Sequence, residues 1–259
     1  MNFKNQDNLF INFEQAIDQY ILPAKFILLQ GNNPHPFCVL AAEELQKYLQ
    51  NQKDWQHNFG LDDKVEGTVI GKMFGVLVVQ NQQGKIGYLA AFSGKLAGSN
   101  NHVKFVPPIF DLLTQNSFLN KGMEELTIMN LEFKNLKERD LKINKEQIAY
   151  LKEKRKQHSI ALQNKIFNHY HFLNQAGETK SLIDIFKSAG YKNPPAGAGE
   201  CAGPKLLQYA FQHKMKPLAL TEFWWGQSPK SITWKHKEFY PCCKEKCEPI
   251  LAHMLQGIH

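Results

Sequence analysis

Four of the five cysteines of this chain stand in its last quarter, as Cys201, Cys242, Cys243 and Cys247. Cys201 follows the run Gly197-Ala198-Gly199-Glu200 and precedes a stretch, 204–212, that reads as a helix. Cys243 and Cys247 lie four apart at the head of a second expected helix, 243–255. Residues i and i+4 share a helix face, so both thiols can reach one ion. The free amides and dipole of a helix N-terminus also lower a thiol pKa. Thiolates so placed suit zinc, which takes four ligands in a tetrahedron. Three cysteines leave one ligand position, for which His236, Cys242 and water compete. The competing expectation is a set of buried, unliganded thiols, which is the usual fate of an isolated cysteine such as Cys38. Where the thiols share a role, structural zinc is favoured over redox chemistry.

A second group of residues points to nucleic acid. Trp224 and Trp225 end an apolar run, and Lys230, Lys235 and Lys237 follow with Trp234 and His236 between them. Exposed aromatic rings stack on unpaired bases, and lysines contact phosphate as point charges. Tryptophan more often caps a core, and that is expected of at least one of the pair. Gly197-Ala198-Gly199 lacks the lysine-serine ending of a phosphate-binding P-loop and reads as a turn that lets Cys201 approach its partners.

These side chains need elements to hold them. The apolar run Val76–Val79, the turn-like Asn81–Gly84 and the return Gly87–Phe92 predict a hairpin whose strands are covered on both faces. Cys38 to Leu49 shows helical spacing, and Pro217 to Trp225 reads as a strand. A turn toward helix is expected at Ile109–Leu113. Between residues 131 and 165 ten Lys and Arg face five Asp and Glu, without proline or glycine. Leu141, Ile148, Leu151, His158 and Leu162 recur near a 3.5-residue spacing there, which predicts one long helix ended by Gly177. That helix fits either a solvated rod with one apolar stripe or an arm gripping RNA. Leu182 to Gly190 reads as a short helix with its glycine stop. The expected fold class is α/β (α+β), a mixed sheet with flanking helices plus a long charged helical arm. The expected domains are an N-terminal helical segment (1–68), a cysteine-bearing α/β domain (69–130 and 178–259) and the inserted arm (131–177).

Several of these motifs carry a resemblance. GECAGPKLLQYAF (199–211), KPLALTEFWWGQSPKS (216–231), FYPCCKEKCEPIL (239–251) and GKMFGVLVVQNQQGKIGYLAAFSGKL (71–96) resemble the N-terminal extension of bacterial RluA-type pseudouridine synthases. The resemblance implies an RNA partner, tRNA or rRNA, and a parent reaction that turns uridine into pseudouridine without an organic cofactor. In that family an Arg-Leu-Asp motif supplies the catalytic aspartate, in a domain that follows the extension. This chain has no Arg-Leu-Asp; Arg139-Asp140-Leu141 has another order. The resemblance therefore places catalysis downstream, on a longer chain, and assigns this region an accessory RNA-binding role with no catalytic residue of its own. The order hairpin, Cys-Ala at a helix start, strand, Pro-Cys at a second helix start is also similar to the zinc-dependent deaminase fold. Those enzymes carry a proton-shuttling glutamate two residues after the first ligand. Gly203 holds that position here, while Glu200 precedes the cysteine as a displaced candidate. The second motif departs as well, with three residues rather than two between Cys243 and Cys247.

Composition bounds the rest. A net charge of +7 and a pI near 9.0 favour an anionic partner such as RNA. Only Arg139 and Arg155 are arginine, so the charge is carried by lysine. No apolar run approaches the roughly 20 residues of a membrane span, and the N-terminus lacks a signal-peptide core. The expected location is the cytoplasm, where five cysteines argue for thiols or metal rather than disulfides.

Overall fold

The computed structural model describes residues 9–29, 31, 33–111, 113, 118–138, 145–230 and 233–258. The chain forms two compact units, Met1–Ile109 with His171–His259, and Phe110–Tyr170. The described N-terminal residues fall in the first of these units, and the second spans 110–170.

The sheet unit is built on the hairpin of β2 (Lys72–Gln80) and β3 (Ile86–Phe92), paired antiparallel from Phe74↔Phe92 to Gln80↔Ile86. β6 (Lys216–Trp225) pairs antiparallel with the other edge of β2. The far edge of β6 is shared by two short strands. β1 (Ile27–Leu28) runs parallel to it at Ala219 and Leu220, and β7 (Phe239–Tyr240) antiparallel at Glu222 and Phe223. The sheet is therefore mixed, as its expected class requires. The outer edge of β3 is covered where Ile11 exchanges backbone hydrogen bonds with Tyr88 at 2.9 Å and Val106 N–H donates to Ala90. Such cover removes the open ladder that would template aggregation.

Both faces of β2 are buried, which is why its sequence is apolar without alternation. On one face α1 (Pro36–Asn51) lays Phe37, Cys38, Ala41 and Leu45 into a core with Phe74, Val76, Val78, Phe92, Phe223 and Trp225. On the other face lies α5 (Ala202–Gln212), and Gly75 lets it come close. A Cβ at that glycine would sit 2.9 Å from the Ala202 methyl and 3.1 Å from Leu206. A second small sheet, β4 (His171–Leu173) with β5 (Thr179–Ser181), leads into α4 (Leu182–Ser188). Gln208 of α5 accepts from the Leu173 amide at 2.9 Å, and His253 of α6 (Lys244–Met254) bonds the Phe172 carbonyl at 2.9 Å. These contacts lock α5 and α6 over the same small sheet.

The second unit differs from the single long helix expected. It holds α2 (Phe118–Glu138) and α3 (Lys145–Phe167), packed antiparallel, with Gly122 against Leu162 and Arg155 donating to Asn130 at 2.8 Å. Residue-by-residue periodicity ran across the join because residues on either side are equally lysine-rich and proline-free. Leu141 and the string Arg139-Asp140-Leu141 lie outside the described residues. The expected turn toward helix at 109–113 is a bend in its described part, and helix begins only at Phe118. Gly177 does not end a helix. With φ +89° it makes the β4–β5 turn, where a left-handed backbone suits glycine.

Candidate metal centre

Cys201 caps the N-terminus of α5 and Cys243 that of α6, each with an extended backbone (φ −72°, ψ 157° and φ −64°, ψ 142°). Three short contacts stitch the end of β3 to the head of α5 and so place Cys201. Gly94 N–H donates to the Glu200 carbonyl at 3.0 Å, Ala202 N–H to Ser93 Oγ at 3.2 Å, and Lys205 Nζ to the Phe92 carbonyl at 2.9 Å. Cys243 is placed by β7, whose pairing with β6 delivers Pro241-Cys242-Cys243 beside Glu222. One helical turn on, Cys247 faces the same side of α6.

The three sulfurs of Cys201, Cys243 and Cys247 lie within 4.8 Å of one another, the last two 3.3 Å apart. All are free thiols. Cys201 and Cys243 are half-buried and Cys247 is buried. Hydrogen bonds from Cys201 and then Cys247 hold the Cys243 thiol far below its usual pKa, helped by the Lys246 and Cys247 amides. Cys201 and Cys247 are pushed up in turn, chiefly by hydrogen bonding to their sulfur neighbours. Of the three, Cys243 is the thiol most readily ionised.

The geometry fits zinc. A tetrahedron with Zn–S bonds of about 2.3 Å has sulfur–sulfur edges of about 3.8 Å, so three sulfurs this close outline one face of it. Two helix N-termini point at that face, which favours thiolates further.

His236 and Cys242 stand outside the three-sulfur group. His236 Nδ1 accepts the Gly226 amide at 3.1 Å, and its ring lies 4.5 Å from that of Trp225. That bond occupies Nδ1 and leaves Nε2, and the group of close ligand atoms holds Cys201, Cys243 and Cys247 without His236. Cys242 is next to the cluster, and burial raises its thiol pKa.

Among the residues expected to touch RNA, Trp225 is a core residue with 3% of its surface exposed. His236 and Lys237 cover its ring, so no base can stack there. The alternation of β6 explains this, since Trp225 points to the α1 face with Phe223 while Trp224 points the other way. Trp224 is half-buried and stacked on Trp234 at 6.0 Å, and Trp234 meets Tyr240 edge-on at 4.6 Å. Lys230, Lys235 and Lys237 are exposed on the loop between β6 and β7.

Two carboxylates border the centre. Glu200, the candidate from sequence, lies in the field of Lys72 and Lys205, which it helps keep protonated. Burial nonetheless pulls Lys205 down to about 8. The second carboxylate, Glu222, went unnoticed in the sequence. It is 4% exposed, on the α5 side of β6, and its Oε1 accepts the Gly203 amide at 3.0 Å. Burial first, then the Cys243 charge, raises its pKa to about 7 against the opposing Gly203 bond. Its one visible signal was a charge inside an otherwise apolar strand, Leu218-Ala-Leu-Thr-Glu222-Phe-Trp.

The chain matches no family model, no curated protein and no solved structure. Among the described residues, no helix is long and apolar enough to cross a membrane.

Proposed function

We propose that this chain is a zinc-thiolate module that serves as the accessory, RNA-holding region of an RluA-like pseudouridine synthase. The observation that carries the metal is the three-sulfur face formed by Cys201, Cys243 and Cys247 at two helix N-termini. Zinc bound there would tie α5 to α6 and would act as a Lewis acid toward any ligand in its remaining position. The RNA reading rests on the resemblance of the motifs, the net positive charge, and the exposed Lys230, Lys235 and Lys237 beside the Trp224–Trp234–Tyr240 ring cluster. Isomerisation of uridine then belongs to a downstream synthase domain on a longer chain.

A second reading, a zinc-dependent nucleobase deaminase, is favoured by the order of elements around the thiols: hairpin β2–β3, α5 headed by Cys201, β6, then α6 headed by Pro241-Cys242-Cys243.

The test is a metal analysis of the purified chain together with an RNA titration at several salt concentrations. Zinc is expected at one equivalent and lost in Cys243→Ser. RNA affinity is expected to fall steeply as salt rises, because phosphate contacts release counterions. A metal-free protein, or salt-independent RNA binding, would refute the corresponding half of the reading.

A further inference from the structure

Helix α2 is apolar on two sides, and α3 covers only one of them. Gly122, Leu126, Met129 and Phe133 recur at i, i+4, i+7 and i+11, which makes one stripe of a helix. That stripe faces α3, where Gly122 meets Leu162, and Met129 and Phe133 line a groove with Leu151. At 3.6 residues per turn Leu131 falls directly opposite the stripe, with Met123 and Ile128 to either side of it. These three are 52%, 56% and 57% exposed in chain order Met123, Ile128, Leu131. A surface helix with one buried stripe ordinarily carries polar residues on its other face. Large apolar side chains grouped in the open mark a contact surface.

The charges around this face point to what covers it. Lys121 and Glu132 are exposed, and neither has an ion-pair partner among the described residues. Standing at i and i+11, about three full turns, they share one flank of α2 but lie about 16 Å apart, out of each other's reach. Their midpoint falls between Leu126 and Thr127, and the midpoint of Met123 and Leu131 is Thr127 itself. The apolar pair and the charged pair are thus arranged about the same point. A second α2 laid antiparallel on this face, with a two-fold axis at Thr127, sets Met123 against Leu131 and Lys121 against Glu132, each contact occurring twice. Ile128 lies beside its own counterpart, and Glu124 falls about one turn from Lys134 across the pair. The same two carboxylates, Glu124 and Glu132, would repel a nucleic acid from this face.

We propose that the outward face of α2 is a self-association surface whose occupant is the α2 of a second copy of this chain, antiparallel about Thr127. The contact is isologous, so one patch serves both copies and the assembly closes at two. Burial of Met123, Ile128 and Leu131 from both helices drives it. The Lys121–Glu132 pairs fix direction and register, as charged flanks do in paired helices. Each α3 keeps its place on the far side of its own α2, which gives a row of four helices. A helix of 21 residues offers a contact about 31 Å long, which makes a small interface and a weak dimer. The pairing requires neither the metal nor the RNA of the proposed function.

Sedimentation velocity of the full chain over a concentration series, into the high-micromolar range, tests this. A monomer–dimer equilibrium is expected. Leu131→Glu should weaken it by at least about 100-fold, because it sets two unpaired carboxylates into the apolar contact. Circular dichroism and the thermal midpoint verify that this exposed substitution leaves the fold intact. Lys121→Glu and Glu132→Lys should each weaken association about tenfold, since each faces like charges across both pairs. Mixing these two single variants should restore the parent affinity, because the mixed pair regains both opposite-charge contacts. In a parallel pair each charge would already face its like, so single variants as tight as the parent would overturn the antiparallel register. A chain that stays monomeric throughout, a dimer indifferent to Leu131→Glu, or a mixture no tighter than its components would each overturn the proposal.

Discussion

Strand β6 carries both candidate regions, and they lie side by side on it. Glu222 looks inward to the thiols, and Trp224, two residues on, begins the aromatic-lysine loop. The first region is over-determined. Two helix caps, a strand pair and a 3.0 Å amide bond leave its groups little freedom. The second is held by ring stacking at the surface, and its lysines point into solvent. The contrast teaches where specificity can live. Buried charge and thiols demand a particular partner, whereas exposed lysines accept any polyanion and reward it only through counterion release.

The sharpest way to break this contrast is at the residue between the two. Phe223→Ala empties a fully buried site and is expected to cost about 3–5 kcal/mol. Trp224→Ala, one position on but half-exposed, should cost far less; denaturant titration of both variants separates them. A comparable loss in the two would mean that the outer region is as much a part of the core as the inner one. Next in size, Cys243→Ser should weaken zinc binding by more than about 100-fold, the most that losing a mere supporting partner costs. Competition with a chromophoric chelator measures it, and Cys38→Ser, deep under α1, should leave zinc affinity unchanged.

A smaller effect should appear with pH. In chelator-treated protein Glu222 stays protonated to about pH 7 when folded but ionises near its ordinary value of 4.5 when unfolded. The folded state then binds more protons between those values, so stability falls as pH rises from about 4.5 to 7, by at most about 1.4 kcal/mol per pH unit. Glu222→Gln should flatten that slope in chemical denaturation. The smallest change belongs to the loop. Replacing Lys230, Lys235 and Lys237 together with alanine should leave stability nearly unchanged and reduce the salt slope of single-stranded RNA binding by about two, at roughly 0.7 per phosphate contact. An unaltered slope would take the RNA contact away from this loop.

Much of the positioning frame was legible from the chain. The hairpin, α1, α5, β6 and α6 follow from apolar spacing and from glycine and proline punctuation, which depend only on near neighbours. The three thiols could be grouped because two of them share a helix turn and the third heads a helix. What failed did so for definable reasons. A uniform lysine-rich composition hid the break between α2 and α3. Strand alternation, once the register was known, buried Trp225 and left Trp224 outside. His236 was chosen for its chemistry, yet its ring packs on Trp225 and accepts the Gly226 amide at Nδ1, outside the three-sulfur group.

The sequence by itself determined the elements, the inventory of thiols and the sign of the charge, since these are properties of residues and their immediate neighbours. Only the tertiary structure decided that Glu222 lies against the Gly203 amide. The two are nineteen residues apart, and no local pattern records that β6 lies against the head of α5. That contact arises because Gly75 on β2 lets α5 settle onto the sheet, and burial then sets the electrostatics of every group the helix covers.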